Sequence, residues 1–305
     1  MQQRYRDSRA IWRAVTDLAK AEGRERNLES GLLVRGFVID RFLARVFAIP
    51  NEQWVLKGGN AVLTRVLDAR ATKDIDLLAQ LENLDDAVDQ LRAAAAVDLS
   101  DHFRFAIRSV GELRGVQLRE VLGCRVAVDA FCGATHRHQF GIDVVTGSLM
   151  TTEADVVVRH SLLPTVPGPE VRLYPVVDHV ADKVAATQSL YGASGEEPSS
   201  RVRDLVDLVI FADTQALDGR ELQTAIAAEW LHRGLPGQPH FEPPAHWNSL
   251  YPDLAAKVPA CSGVTRYSEA VELVGKFLAP ALKGTAAGLT WKPQTAAWST
   301  PEEGP

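Results

Sequence analysis

The sequence predicts an α+β protein made of a mixed-sheet domain followed by a helical domain. Three observations carry that expectation. Two amphipathic helices open the chain, short β-branched runs bounded by turn residues crowd the rest of its first half, and helical apolar spacing takes over after a proline-rich stretch. With 305 residues, 46% hydrophobic and 24% charged, the chain can bury one large core or two smaller ones.

Ile11, Trp12, Val15, Leu18 and Ala19 recur at helical spacing over residues 7–22, ahead of Gly23, and Leu33, Phe37, Phe42 and Val46 repeat the pattern over residues 30–47. "WVL" at 54–56 reads as a short buried strand, Gly58-Gly59 as the turn after it, "NAVLTRVLD" as a helix and "DIDLLAQ" as an alternating strand. "NLDDAVDQLRAAAA" is helical in pattern, whereas "FRFAIRSV", "CRVAVDAF", "QFGIDVV" and "ADVVVR" are strand-like, giving the first half about five strands. "PTVPGP" at 164–169 marks a boundary between a domain of residues 1–165 and one of residues 166–305. Helical periodicity then covers 176–191, 201–213, 219–233 and 266–279. Residues 234–262, rich in Pro, Gly, His and Trp, read as a long loop holding one short helix, and residues 284–305 as a flexible tail.

Composition narrows the function classes. MQQRYRDSR at the start lacks the apolar core of a secretory signal, and no later apolar run approaches the roughly 20 residues of a membrane span, so no membrane association and a cytoplasmic location are expected. Cys124, Cys132 and Cys261 are widely spaced and form no CxxC pair, which fits buried small side chains better than a disulfide framework or a thiolate zinc site. A net charge of -6 argues against a generally basic coat, but the charge is uneven. Residues 1–50 carry ten Lys and Arg against six Asp and Glu, and residues 51–100 five against nine. The first segment, with Arg4, Arg6, Arg9 and Arg13, is either a surface for a phosphate backbone or a solvated helix face.

The chemistry concentrates in "WVLKGGNAVLTRVLDARATKDIDLL", Trp54 to Leu78. Asp74 and Asp76, two apart on a strand, point to one face with Cβ atoms about 7 Å apart, near enough to converge on a divalent ion. Mg²⁺ is usually held by one or two carboxylates together with substrate phosphates, which suits phosphoryl or nucleotidyl transfer. Gly58 and Gly59 let a backbone approach a triphosphate and aim N–H groups at its oxygens, and Lys57 and Lys183 would neutralise charge on the leaving pyrophosphate. A paired aspartate or a double glycine alone is unspecific; their ordered succession across one helix is the signal. Each cation also has a plainer account. Lys57 is then a surface lysine, Lys183 part of a solvated helix face, and Arg70 a turn cap instead of a phosphate ligand. His136 and His138 fit a polar hairpin loop better than a metal site, and Trp230, Trp247, Trp291 and Trp298 fit packing better than base stacking.

"LKGGNAVL", "RATKDIDLL", "FGIDVVTG", "PVVDHVADKVAAT" and "RVRDLVDL", in that order over residues 54–210, resemble the AbiEii-type nucleotidyltransferase toxins, including the MenT toxins, of the DNA polymerase β-like superfamily. The resemblance implies a polymerase β-like nucleotidyltransferase domain, with Gly58 and Gly59 in the turn and Asp74 and Asp76 on Mg²⁺ or Mn²⁺. It implies a third carboxylate on a neighbouring strand, bound to a second ion: Asp143 by pattern, with Asp129 as the competitor. It further implies Lys183 on the triphosphate, Asp204 as an active-site acid, and Arg203 in the lysine position of the family's RxKD element. The family's usual Gly-Ser turn is Gly-Gly here, so a serine contact to phosphate is absent. The implied activity is transfer of NMP from a nucleoside triphosphate to the 3′ end of tRNA, blocking translation, by a toxin with a cognate antitoxin. A small-molecule or protein acceptor, or a non-catalytic nucleotide-binding module, are the alternatives. Replacing Lys57 or Lys183 by Ala is expected to weaken triphosphate binding or slow the reaction and leave the melting temperature nearly unchanged.

Overall fold

The computed structural model describes residues 5–48, 53–70, 72–113, 122–192 and 195–300. Arg4, one of the four N-terminal arginines singled out above, lies outside them. The chain divides into two compact units, one of Met1–Thr64, Ala71–Ser148 and Asp155–Leu173, the other of Arg65–Arg70, Leu149–Ala154 and Tyr174–Pro305.

The first unit holds a seven-stranded mixed sheet among the described residues. Its strands are β1 (Trp54–Lys57), β2 (Ile75–Ala79), β3 (Phe103–Glu112), β4 (Gly123–Cys132), β5 (Thr135–Val145), β6 (Asp155–Val158) and β7 (Glu170–Leu173), in the order β3-β4-β5-β2-β1-β7-β6. Its helices are α1 (Ser8–Glu25), α2 (Ser30–Val46), α3 (Gly58–Arg65) and α4 (Leu84–Ala96). The starts of α1 and α4 follow from side-chain caps: Asp7 accepts from the Ala10 N–H at 2.8 Å and Asn83 from the Asp86 N–H at 2.8 Å.

Alternation decides the two faces of the sheet. Leu56, Leu77, Val144 and Cys124 stand in one row across β1, β2, β5 and β4, and all four are buried. That face packs with Phe37, Phe42 and Leu43 of α2 and Leu91 of α4 in a single apolar cluster, where Phe42 meets Phe105 and Phe140 edge to face at 5.3 and 5.5 Å. The next row, one residue along, projects from the opposite face. The six runs read as strands from the sequence are β1 to β6, and the sheet adds one more, β7, which is only four residues long and joins by parallel pairing of Leu173 with Leu56.

The second unit is mainly helical: α5 (Val176–Gln188), α6 (Val202–Thr214), α7 (Gly219–His232), the short α8 (Tyr251–Ala255) and α9 (Tyr267–Leu282). A three-stranded sheet joins β8 (Leu217–Asp218), β9 (Thr290–Lys292) and β10 (Ala297–Ser299) in the order β10-β9-β8. Residues 284–300 are therefore not a flexible tail. Trp291 is fully buried, donates its indole N–H to the Ala212 carbonyl at 2.7 Å and packs edge to face on Phe277 at 5.2 Å. A large aromatic buried with its one donor satisfied fastens the segment. Residues 301–305 lie outside the described residues. Trp247 is likewise buried, with its N–H on the Ser199 carbonyl, and Trp230 and Trp298 also donate to backbone carbonyls, so the four tryptophans serve packing. No helix among the described residues is long and apolar enough to cross a membrane.

Candidate active site

The row of the sheet that faces away from α2 and α4 is charged. Lys57 stands opposite Asp76, Asp76 opposite Asp143, and Asp143 opposite Arg125, so one register line crosses β1, β2, β5 and β4. Paired positions share a face, so these four side chains leave the sheet on the same side. Asp74, two residues before Asp76, is brought to this row by Arg125, whose guanidinium reaches Asp74 Oδ1 at 2.8 Å and Asp143 Oδ1 at 2.6 Å.

Glycines make the space. Gly58 has φ +58, in the left-handed region, and a Cβ there would stand 1.9 Å from Asp76 Oδ2, so the turn admits only glycine while the carboxylate lies against its Cα. Gly141 plays the same part for the guanidinium: a Cβ would meet Arg125 Nη2 at 2.3 Å and Asp74 Oδ1 at 2.9 Å. Its N–H also points to Asp74 Oδ1 at 3.3 Å. Gly59 is buried in the first turn of α3. Lys57 Nζ donates to Ser148 Oγ at 3.0 Å.

Behind α3 lies a buried brace. Asn60 donates through Nδ2 to the Asp74 carbonyl at 2.8 Å, and Arg159 donates to the Asn60 carbonyl at 3.2 Å, to Thr64 Oγ1 and to Asp40 Oδ1 at 2.7 Å. Asp40 and Arg159 are both buried, so each charge needs the other. The brace fixes the backbone at Asp74 from the α3 side.

Electrostatics follows from this packing. Burial, with help from the neighbouring Asp74, pushes the Asp143 carboxyl up against the opposing pull of Arg125. The Asp74 hydrogen bond, joined by Asp143, pushes Arg125 up and keeps it charged. Asp129 shares the exposed face of β4 with Arg125, so facing does not separate it from Asp143. Position along the strand does: Asp129 opposes Gln139, four residues or about 13 Å from the charged row, and its Oδ1 meets His136 Nε2 at 3.1 Å.

The remaining expected residues form a cluster within the second unit. Lys183 on α5 is only 3% exposed and bonds Asp204 Oδ1 at 3.0 Å and Asp207 Oδ2 at 2.7 Å, both on α6. Arg70 grips Asp207 with two bonds of 2.7 and 2.8 Å, and Arg201 holds Asp204 Oδ2 at 2.7 Å. Burial opposes charge on Lys183, yet Asp204 and Asp207 outweigh it and raise its pKa. Burial likewise opposes charge on Asp207, but Lys183 and Arg70 prevail and hold it down at about 2. Neither a solvated-face lysine nor a turn-capping arginine describes Lys183 and Arg70 here. Arg203 is exposed in the first turn of α6. Arg125, Gly141, Asp207 and the Asn60 brace were not singled out from sequence.

The family model described as "Nucleotidyl transferase AbiEii toxin, Type IV TA system" matches residues 41–267 of the 305. The chain belongs to the AbiEii nucleotidyltransferase toxin family. No curated protein matches it in sequence. Among solved structures, it is similar to MenT4, the nucleotidyltransferase toxin Rv2826c from Mycobacterium tuberculosis H37Rv. That match has a TM-score of 0.50 and 14% identity, and covers 90% of this chain and 98% of that one. It is also similar to JHP933 from Helicobacter pylori, with a TM-score of 0.43 and 13% identity, covering 85% of this chain and 94% of that one. The MenT4 likeness shows the α+β fold. Family membership makes the chain a nucleotidyltransferase of a type IV toxin-antitoxin system and implies an antitoxin partner and a nucleotide substrate.

Nucleotidyltransferases of this kind typically need a divalent metal, and the AbiEii site can be tested for its fit. Its donors are carboxylate oxygens on one sheet face, the hard ligands Mg²⁺ prefers, and a cationic guanidinium already lies against two of them. Among the described residues no three His, Cys, Asp or Glu side chains converge on one point. The arrangement fits an ion held by one or two carboxylates and completed by substrate phosphates, with Asp74 and Asp76 as the residues that would hold it.

Proposed function

We propose that this AbiEii toxin transfers NMP from a nucleoside triphosphate to the 3′ end of tRNA in the cytoplasm, releasing pyrophosphate and blocking translation. One observation carries the catalytic part of the reading: the register line that sets Asp76 opposite Asp143, with Asp74 drawn to the same row by Arg125. Carboxylates gathered on one sheet face, beside a glycine turn that opens a helix, suit metal-assisted nucleotidyl transfer.

A bound Mg²⁺ or Mn²⁺ would polarise phosphoryl oxygens and offset the charge that develops on them. The chain's own groups divide the rest of the work. Asp74 and Asp76 present carboxylate oxygens to the ion. The backbone N–H groups of Gly58 and Gly59, at the start of α3, bind phosphate oxygens, with Lys57 beside them for the pyrophosphate. Asp143 draws the proton from the attacking hydroxyl, and its upward-shifted carboxyl suits that role. Lys183, Asp204 and Arg203 carry over from the family pattern and Arg70 from its place before the paired aspartates; within the second unit Lys183, Asp204 and Arg70 form one ion-paired cluster with Asp207. The tRNA acceptor rests on the family resemblance.

Incubating the protein with total tRNA, Mg²⁺ and each labelled triphosphate in turn tests the reading. Label at the tRNA 3′ end, lost in Asp76→Asn, is expected. Label on a small molecule or on protein instead would move the acceptor and keep the chemistry; no transfer to anything would overturn both. Expression alone should slow growth, and co-expression of a neighbouring gene's product should relieve it.

A further inference from the structure

Arg125 occupies an unusual place for a strand residue on an open face: its guanidinium lies between two of the three acids assigned to the metal centre. It takes one oxygen from each, Oδ1 of Asp74 and Oδ1 of Asp143, and no hydrogen bond from a described residue reaches Oδ2 of either. The guanidinium has a built seat. Gly141 leaves the space in which Nη2 and Cζ sit, since a Cβ there would come within 2.3 and 2.6 Å of them. Stability gives little reason for the arrangement, because Arg125 and Asp74 are each 43% exposed and such ion pairs contribute little.

Charge supplies the reason. Asp74, Asp76 and Asp143 together would carry three negative charges; with Arg125 seated against two of them and Lys57 opposite Asp76, the charge left is far below that of two divalent ions. With the Oδ2 atoms given to a first ion, a second would have to compete with the guanidinium for the Oδ1 atoms it already holds. We propose that Arg125 is a fixed cation standing in place of a second divalent ion, so that the site takes one Mg²⁺ or Mn²⁺ and Arg125 positions Asp74 and Asp143 around it. The proposal rests on the metal-dependent reading above and departs from the sequence expectation of a second ion on Asp143.

The test counts ions, not turnover. The full-length protein is titrated with Mn²⁺ alone, free Mn²⁺ is followed by electron paramagnetic resonance, and binding that survives in Asp76→Asn is subtracted as nonspecific. One ion per chain is expected for the unsubstituted protein and two for Arg125→Gln, whose uncovered Oδ1 atoms then accept the second. Gly141→Ala, which crowds the guanidinium out of its seat while keeping its charge on the chain, gives an independent route to the same rise should Arg125→Gln not fold; circular dichroism checks both. Two ions on the unsubstituted protein, or one on folded Arg125→Gln, would overturn the proposal while leaving metal dependence intact. No ion above the Asp76→Asn background would instead sink the metal-dependent reading, and this inference with it.

Discussion

Asp76 and Asp143 lie directly opposite one another across the parallel pairing of β2 with β5, on the face of the sheet that turns away from α2 and α4. The pairing ranks the acids of the first unit. Asp76→Asn and Asp143→Asn should each lower nucleotide transfer on the order of 100-fold or more, with circular dichroism unchanged, because each removes charge at nearly constant volume. Asp129→Asn, about 13 Å along β4, should have a mild effect. Radiolabel incorporated into tRNA measures all three. Full activity in Asp76→Asn would defeat the site, and a large loss confined to Asp129→Asn would transfer the third role to that residue.

Gly58→Ala should be costly where another glycine is not. At φ +58, with Asp76 Oδ2 1.9 Å from the new Cβ, strain and collision add, and a loss of about 2 kcal/mol or more is expected along with reduced transfer. Gly36→Ala inside α2, with nothing within 4 Å of the added carbon, should be neutral or stabilise by up to about 1 kcal/mol. Urea melts of the two variants compare them directly.

Lys57 and Lys183 should behave differently, contrary to the equal treatment the sequence suggests. Lys183→Ala leaves Asp204 and Asp207 buried without their shared ammonium, and a loss of about 3–5 kcal/mol is expected. Lys57→Ala, at a partly exposed strand end, should leave the melting temperature nearly unchanged and weaken triphosphate binding. An unaltered melting temperature in Lys183→Ala would mean that the cluster rearranges around the loss.

Asp207 gives a pH signature. Its folded pKa is depressed from 3.8 to about 2, so the stability it contributes is fully present above pH 4 and is lost as pH falls from there toward 2. The amount is on the order of 2 kcal/mol. Denaturant titrations across that window should show a shallower acid loss in Asp207→Asn than in the unsubstituted protein; parallel curves would assign the acid sensitivity elsewhere.

Arg9 and Arg13 are exposed on α1, opposite its buried Ile11 and Val15. If this face meets a phosphate backbone, reversing both to Glu should weaken tRNA binding, more strongly at low salt, and spare triphosphate binding. Unchanged tRNA affinity would leave them as a solvated helix face.

The legible parts of this protein are those written in local periodicity. The helices at 8–25 and 30–46, the first two strands and the glycine turn follow from patterns a dozen residues long. β7 escapes such reading because its four residues, Glu170–Leu173, are too few to carry a period; it becomes a strand by lying beside β1. The C-terminal segment escapes for a related reason, since Trp291 is fastened by a carbonyl on α6, far away in sequence.

Arg125 is the instructive omission. Counting outward from the β4–β5 turn, where Cys132 pairs with Thr135, an uninterrupted ladder would set Arg125 opposite Ile142, a core residue. A bulge between Ala130 and Phe131 shifts the count by one, so that Arg125 meets Asp143. No residue type in "CRVAVDAFCGATHRHQF" announces that bulge. The Lys183 cluster was half visible: its members were named, but a lysine on an apolar helix does not reveal from sequence which acids will enclose it.

The charged row has a consequence for how the chain finds its fold. A one-residue slip of β2 against either neighbour would turn Asp76 onto the apolar face beneath α2 and α4, and bring Ile75 and Leu77 outward. An unpaired carboxylate among Phe42, Phe140 and Leu91 is far more costly than a misplaced leucine. The acids assigned to nucleotide transfer thus also act as a proofreader of strand pairing, rejecting misaligned sheets before any substrate is met. Substitutions that neutralise them should lower transfer and, separately, leave the native fold intact while slowing the refolding step in which β2 seats itself between β1 and β5.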